Sequence, residues 1–467
     1  MMQSKYATRE AIEQESEQVS QALAQKLESY LFPLLQVLDR LLDKRLVRTF
    51  LQCCVAILRF RNSKQGLLLS ELGSYLGGYQ GISEAAPAGT KRISNLLRSL
   101  KWNTSCIDQY LLNEAQKEVE RLKSQGKRIL CIWDGSVLEK PESQKLEGIG
   151  PVLSSKAKRL SRSRKGLLFN KPAGMPIRVM GMQWTAALIT GLEGIPKIAL
   201  MNWWTTKGDY AVKLREHEEY LVRMCVRKWG TLLTHVFDRG YASGPWIAKL
   251  QGLRVKFVIR WVKKHKFFDA QGHEKKLWEI ARGKKYRAHK EIFDTATGEK
   301  MPCDLWWGQV WHASYADPLY MLKIRMKKEV GYLITNEQIK TELQAWDIFF
   351  TYKRRWQIET SFRYGKCELA MESPRLWFME NRLKLLSIVT VVYSFLLHLL
   401  GPLFKDLLET ILRFKCHRTG KRYREVLAPL YRERWAISRL WNDHRPALGR
   451  VFPPNWETLQ VLASKRC

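Results

Sequence analysis

The sequence predicts an α/β protein with helical ends and a β-rich segment set into its second half. Three observations carry that prediction. Apolar residues recur at three- and four-residue steps up to about residue 100. Short apolar runs stopping at Asp or Gly take over from residue 127, and the helical period returns after residue 336. A chain of 467 residues, 45% hydrophobic and 27% charged, has the composition of an ordered protein of several domains.

Residues 10–60 read as helical, with Leu31, Leu34, Leu35, Leu38, Leu41 and Leu42 along one stripe. A glycine-rich break (Gly73, Gly77, Gly78, Gly81, Gly89) precedes a second helix over residues 90–101. Ile93, Leu96, Leu97 and Leu100 share one face of it, with Lys91, Arg92, Arg98 and Lys101 among the rest. Two helices about a break, the second basic, fit a helix-turn-helix reader of DNA; an amphipathic surface helix with solvated charges fits as well. Residues 1–120 are expected to form a helical DNA-binding domain.

From residue 127 the period changes. Residues 128–133 are a short apolar run, expected as a buried strand that stops at the turn Asp134-Gly135. Two further strands, 180–190 and 197–204, are joined in hairpin fashion through residues 191–196, and a helix follows over 211–229. A strand at 232–237 then ends on Asp238-Arg239-Gly240-Tyr241, and a helix and a strand at 255–259 complete the first part of a core spanning 121–259. Residues 260–340 carry Gly, Pro and short β-like runs (309–314, 319–324, 331–334), and read as a β-rich insertion. The core resumes over 341–405, and 406–467 is a basic helical C-terminal region broken by prolines.

Charge narrows the function. Seventy-nine Lys and Arg against 45 Asp and Glu leave +34, with a pI near 9.9, which argues for a polyanionic partner. Eighteen Trp add faces on which bases stack. Basic residues cluster at 156–171, 254–290 and 413–424, including Arg162, Arg164, Lys165, Lys263 and Lys264, and together read as a phosphate track. The nine Cys are scattered without a C-x-x-C pair, as expected of a reduced, cytoplasmic chain. The longest apolar stretch, 385–400, is interrupted by polar residues and shorter than the ~20 residues that span a bilayer, so no membrane partner is expected.

Asp134 and Asp238 stand where strands give way to loops, the position at which open α/β sheets gather functional groups; both motifs are also ordinary turn starters. A third carboxylate lies in a helical segment, Tyr352-Lys-Arg-Arg355-Trp356-Gln-Ile-Glu359-Thr-Ser-Phe-Arg-Tyr-Gly-Lys366. If one helix persists, Tyr352, Arg355, Glu359 and Lys366 share a face. A carboxylate flanked by these groups suits holding a metal beside phosphates, and a charged helix face with an Arg355–Glu359 pair suits the same spacing.

The pattern Y-x2-R-x3-E-x6-K, filled by Tyr352, Arg355, Glu359 and Lys366, resembles the signature of bacterial insertion-sequence transposases of the DDE type, insertion-sequence family four. Asp134-Gly135 resembles the family's first catalytic Asp, and Asp238-Arg239-Gly240-Tyr241 the region of its second. Asp209, which also follows a strand-like segment, is the alternative first carboxylate. The resemblance covers residues 128–370. It implies an RNase H-like catalytic core in which Asp134, Asp238 and Glu359 are catalytic and hold two Mg2+ ions, for which Mn2+ can substitute, ~3.5–4 Å apart. Two Asp and a Glu are hard oxygen donors suited to such ions, and the motif holds no zinc-type ligand. It further implies that Tyr352, Arg355 and Lys366 contact phosphates near the cleaved end. Arg239, Lys91, Arg92 and Arg98 are further DNA contacts. Trp356 is a candidate to stack near a distorted or flipped base, with core packing as its alternative and Trp306, Trp307 and Trp311 as rivals. The expected protein is a transposase that binds terminal inverted repeats in double-stranded DNA as a homodimer. It cuts the ends and joins the 3′-hydroxyls to target DNA in the bacterial nucleoid, with no small-molecule cofactor. A two-metal endonuclease of the same fold and an inert transposase-derived DNA-binding protein are the other readings.

Overall fold

Among the described residues, the helical period of the first hundred becomes four helices, α1 (Arg9–Leu41), α2 (Lys44–Arg59), α3 (Leu69–Leu76) and α4 (Ala86–Arg98), and α5 (Ser105–Ser124) follows. The structure, a computed structural model, describes residues 9–61, 64–76, 86–143, 145–154, 177–294, 299–327, 329–415 and 430–449. The single helix expected over 10–60 is two. Asp43 ends the first and caps the second, its carboxylate accepting from the amides of Arg45 and Leu46 at 2.9 and 3.0 Å. Gly73 and Gly89 lie within α3 and α4, not in a break, because the two helices cross there backbone to backbone. A Cβ on Gly89 would stand 2.3 Å from the Gly73 carbonyl oxygen. Leu100, expected on the apolar face of the second helix, falls beyond its end and is 89% exposed.

Among the described residues, twelve strands then form one sheet. β1 (Leu130–Glu139) pairs antiparallel with β3 (Arg178–Thr190), which also carries β2 (Gly150–Leu153) and β4 (Lys197–Trp204) on its far edge. On the other side β1 pairs parallel with β5 (Thr234–Phe237), and β5 parallel with β6 (Lys256–Arg260). Helices α6 (Leu214–Trp229) and α7 (Gly244–Gly252) connect β4 to β5 and β5 to β6. Residues 260–340 supply β7 (Lys266–Phe268), β8 (Glu274–Lys276), the one-turn α8 (Leu277–Ile280), β9 (Ala288–Asp294), β10 (Glu299–His312), β11 (Tyr315–Met326) and β12 (Glu329–Thr335). β12 pairs antiparallel with β6, so these strands extend the same sheet. The chain continues as α9 (Glu342–Lys353), α10 (Trp356–Cys367), α11 (Met379–Leu399), α12 (Lys405–Lys415) and α13 (Leu430–Asp443).

The period of two along β1 divides the core. Leu130 and Ile132 face the cluster built from α1, α2, α4, α10 and α11, whereas Cys131 and Trp133 face the cluster built from α5, α6 and α7. α11 is the one described helix long and apolar enough to cross a membrane, and it is buried in the first of these clusters. Its Lys384 is fully buried and donates to the Ser99 and Leu97 carbonyl oxygens at 2.8 and 3.3 Å, fastening the end of α4 to the core. α13 closes the chain onto its beginning: Arg434 donates to the Phe60 carbonyl at 3.1 Å and Ser438 to that of Arg59 at 2.7 Å.

Candidate active site

The sheet register brings the first two carboxylates to one edge. β5 accompanies β1 only from Leu130↔Thr234 to Ile132↔Val236, so beyond Ile132 that flank of β1 is open. Asp134 lies two residues past the last pair, and Asp238 directly follows β5. Asp134 shares the face of Ile132, and Asp238 that of Val236. This is the face to which α10 contributes Ile358 and Phe362, so both aspartates look toward the helix that carries Glu359.

Asp134 is not at the end of its strand. β1 runs on through it to Glu139, held by β3, with Asp134 opposite Ala186. The Asp134-Gly135 turn is thus corrected to mid-strand: the loss of the β5 partner, not the end of the strand, opens the crevice. Asp209 sits exposed in the turn after β4. Asp238 caps the 3-10 turn Arg239–Tyr241, its Oδ1 accepting from the Gly240 amide at 2.7 Å.

The signature segment is two helices, not one. Thr341 and Gln344 form a capping box that starts α9, which stops at Lys353; α10 begins at Trp356. Between them, Arg354 donates to the Gly191 and Gly194 carbonyls at 3.1 and 2.6 Å and to the Thr190 hydroxyl at 2.8 Å, pinning the junction to the β3–β4 hairpin. Sequence reasoning missed Arg354, because its partners, two backbone carbonyls and a hydroxyl, lie 160 or more residues away.

Arg355 is the centre of the site. It is 5% exposed, and its two terminal nitrogens donate to Asp134 Oδ2 at 3.0 Å and to Glu359 Oε1 at 2.5 Å. Its guanidinium lies 5.7 Å from the Tyr352 ring and 5.4 Å from that of Trp356. Burial opposes its charge, but Tyr352, Glu359 and Asp134 outweigh that and hold it protonated. Asp134 is pushed up to about 7, first by burial and then by the charge of Asp238; Arg355 and the Gly135 amide oppose the rise, and Glu359 adds to it. Two carboxylates therefore meet on one guanidinium, and the charge of a third, Asp238, acts on the first of them. Among the described residues no group of three or more His, Cys, Asp or Glu is arranged to hold a metal ion. The donor chemistry nevertheless fits a divalent cation: the oxygens are hard, and burial together with the charges of Asp238 and Glu359 opposes the ionised form of Asp134, a cost that a cation would relieve.

Trp356 opens α10 at 60% exposure, so the core-packing alternative is set aside for it. Trp306 and Trp307 are buried, at 5% and 7%, and cannot offer a free face to a base; Trp311 is half-buried in β10. Tyr352 is half-buried on α9 and Lys366 half-buried in the last turn of α10. Arg239 is exposed, as are Lys263 and Lys264 in the turn between β6 and β7. On α4, Lys91 and Arg98 are exposed while Arg92 is half-buried and donates to Gln52. Arg162, Arg164 and Lys165 lie outside the described residues, as does most of the cluster at 413–424.

Residues 215–389 match the family model described as the transposase DDE domain. The match takes in Asp238 and the whole signature from Tyr352 to Lys366, and begins after Asp134. It supports a DDE transposase. Among solved structures the chain is similar to that titled "Cryo-EM structure of piggyBac transposase synaptic complex with hairpin DNA", at 11% identity and a TM-score of 0.40, over 88% of this chain and 78% of that one. A likeness that distant carries no argument about fold or function. No curated protein matches.

Proposed function

We propose that the protein is a DDE transposase of insertion-sequence family four. It binds the terminal inverted repeats of its element as a homodimer, cuts the ends and transfers the 3′-hydroxyls to target DNA within the bacterial nucleoid. One observation carries the reading: Asp134 and Glu359, distant in sequence, meet on the same buried guanidinium, with Asp238 close enough to raise Asp134. The RNase H-like core is supported by β4, β3 and β1 running antiparallel and β5 and β6 added in parallel at the β1 edge.

Asp134, Asp238 and Glu359 would hold two divalent cations, Mg2+ or in its place Mn2+. Bound there, they supply an activated water or 3′-hydroxyl and stabilise the leaving oxygen. The chain's own groups do the rest. Arg355 holds Asp134 and Glu359 in register and must yield oxygen to an incoming cation. Trp356, exposed beside it, offers a face to a base, and Lys366 offers a cation to the phosphate backbone. Arg239, Lys263 and Lys264 extend the basic surface away from the carboxylates.

The test is Mg2+-dependent cleavage of DNA ending in the element's own flanking repeats. Wild type is compared with Asp134→Ala and Glu359→Ala, and binding is measured in parallel. Cuts at the repeat ends that vanish in both variants with binding retained support the reading. Cleavage surviving in either variant overturns the triad, and cut ends that are never joined reduce the activity to a nuclease.

A further inference from the structure

We propose that Arg215 and Glu218, on the first two turns of α6, are positioning residues that lock the Asp238 carboxylate in place. This inference rests on the reading of Asp238 as catalytic. One Arg215 nitrogen donates to Glu218 Oε2 at 2.8 Å, and the other donates to the Gly240 carbonyl at 2.6 Å. Gly240 is the residue whose amide donates to Asp238 Oδ1 at 2.7 Å. The turn after β5 is thus gripped at both ends of one residue: its N–H fixes the carboxylate and its C=O is fixed by Arg215.

The grip is braced from one side by aromatic rings. The guanidinium lies 4.9 Å from the Tyr241 ring and 5.6 Å from that of Trp246, both buried, so it is lodged between the turn and the start of α7. Glu218 is itself buried, and burial raises its carboxyl, with Arg215 and the Tyr241 hydroxyl opposing that and Asp238 adding to it. A buried carboxylate that feels the charge of Asp238 is unfavourable unless a cation is held there. A planar fork can serve Glu218 and the Gly240 carbonyl together; an ammonium on a flexible stem is a poor substitute. Such outer partners change ligand orientation, and their loss typically costs about 10–100-fold in metal affinity or activity.

The experiment compares Arg215→Lys and Glu218→Gln with wild type and Asp238→Ala. Three quantities are read: kcat and KM for Mg2+-dependent cleavage of repeat-end DNA, Mn2+ affinity of the DNA-free protein by calorimetry, and melting temperature. Arg215→Lys is expected to lower kcat about 10–100-fold and weaken Mn2+ binding severalfold, with KM for DNA within about twofold. Glu218→Gln keeps one acceptor for Arg215 and nearly the same shape, and is expected to show the same split at smaller size. It decides the matter if Arg215→Lys does not fold. Wild-type kcat and Mn2+ affinity in both variants, with Asp238→Ala inactive, overturn the positioning role alone. Activity in Asp238→Ala overturns the site reading and this inference with it. A rise in KM with kcat unchanged assigns Arg215 to DNA contact and also overturns the proposal.

Discussion

Burial alone would push the Asp134 carboxyl upward; what makes the position distinctive is that two further carboxylates face it and one guanidinium answers them. A carboxyl raised in the native state binds its proton there more tightly than in the unfolded chain. Its contribution to stability is therefore present at low pH and lost as pH climbs from about 4 to about 7. Asp134→Asn removes that penalty, and we expect it to melt about 2–4 °C above wild type at pH 8 and level with it near pH 4. Scanning calorimetry at the two values checks this; equal melting at pH 8 would mean that the guanidinium already offsets the repulsion. The placement of this residue after a buried apolar run was legible in the sequence, because an Asp following such a run is a short pattern. Its neighbour on the guanidinium was legible only in part: the spacing from Arg355 to Glu359 gives their pair, whereas nothing local links Arg355 to Asp134.

At the scale of elements, the apolar runs at 180–190, 197–204 and 232–237 each coincide with the strand they predict, with bounds moved by two residues at most. The two corrections at the site share a cause. The sequence around Asp134-Gly135 has turn composition, yet β3 pairs with it residue for residue; the residues after Lys353 have helical composition, yet the backbone breaks there. In both, partners distant in the chain override local preference. For the break, the partner is the β3–β4 hairpin acting through Arg354, whose burial lowers its guanidinium to about 10. Arg354→Ala is expected to cost about 1–2 kcal/mol in urea unfolding and to lower cleavage while leaving DNA affinity near wild type. Arg354→Lys should recover part of the stability. Unchanged cleavage in the alanine variant would show that α10 holds its place without the pin.

At the scale of the whole molecule, one wide sheet runs through the core, and its strands from residue 260 onward extend the edge beyond β6, so basic residues in their connections stand in a fixed relation to the carboxylates. Lys263 and Lys264 are exposed in the first of these connections, directly after the strand next to β5. The expectation of a β-rich segment came from its composition, but its continuity with the core did not, because strand pairing across the insertion leaves no periodic trace in sequence. With a net charge of +34, DNA affinity should fall linearly on logarithmic axes as salt rises, each neutralised phosphate contributing a slope of about −0.9. If Lys263 and Lys264 each meet a phosphate, the double variant Lys263→Ala/Lys264→Ala lowers the steepness by about 2 and weakens binding alike on repeat and unrelated DNA. A fluorescence titration from about 50 to 200 mM salt reads both quantities. A slope equal to wild type would remove this turn from the track, and a loss confined to repeat DNA would make it a reader of sequence instead.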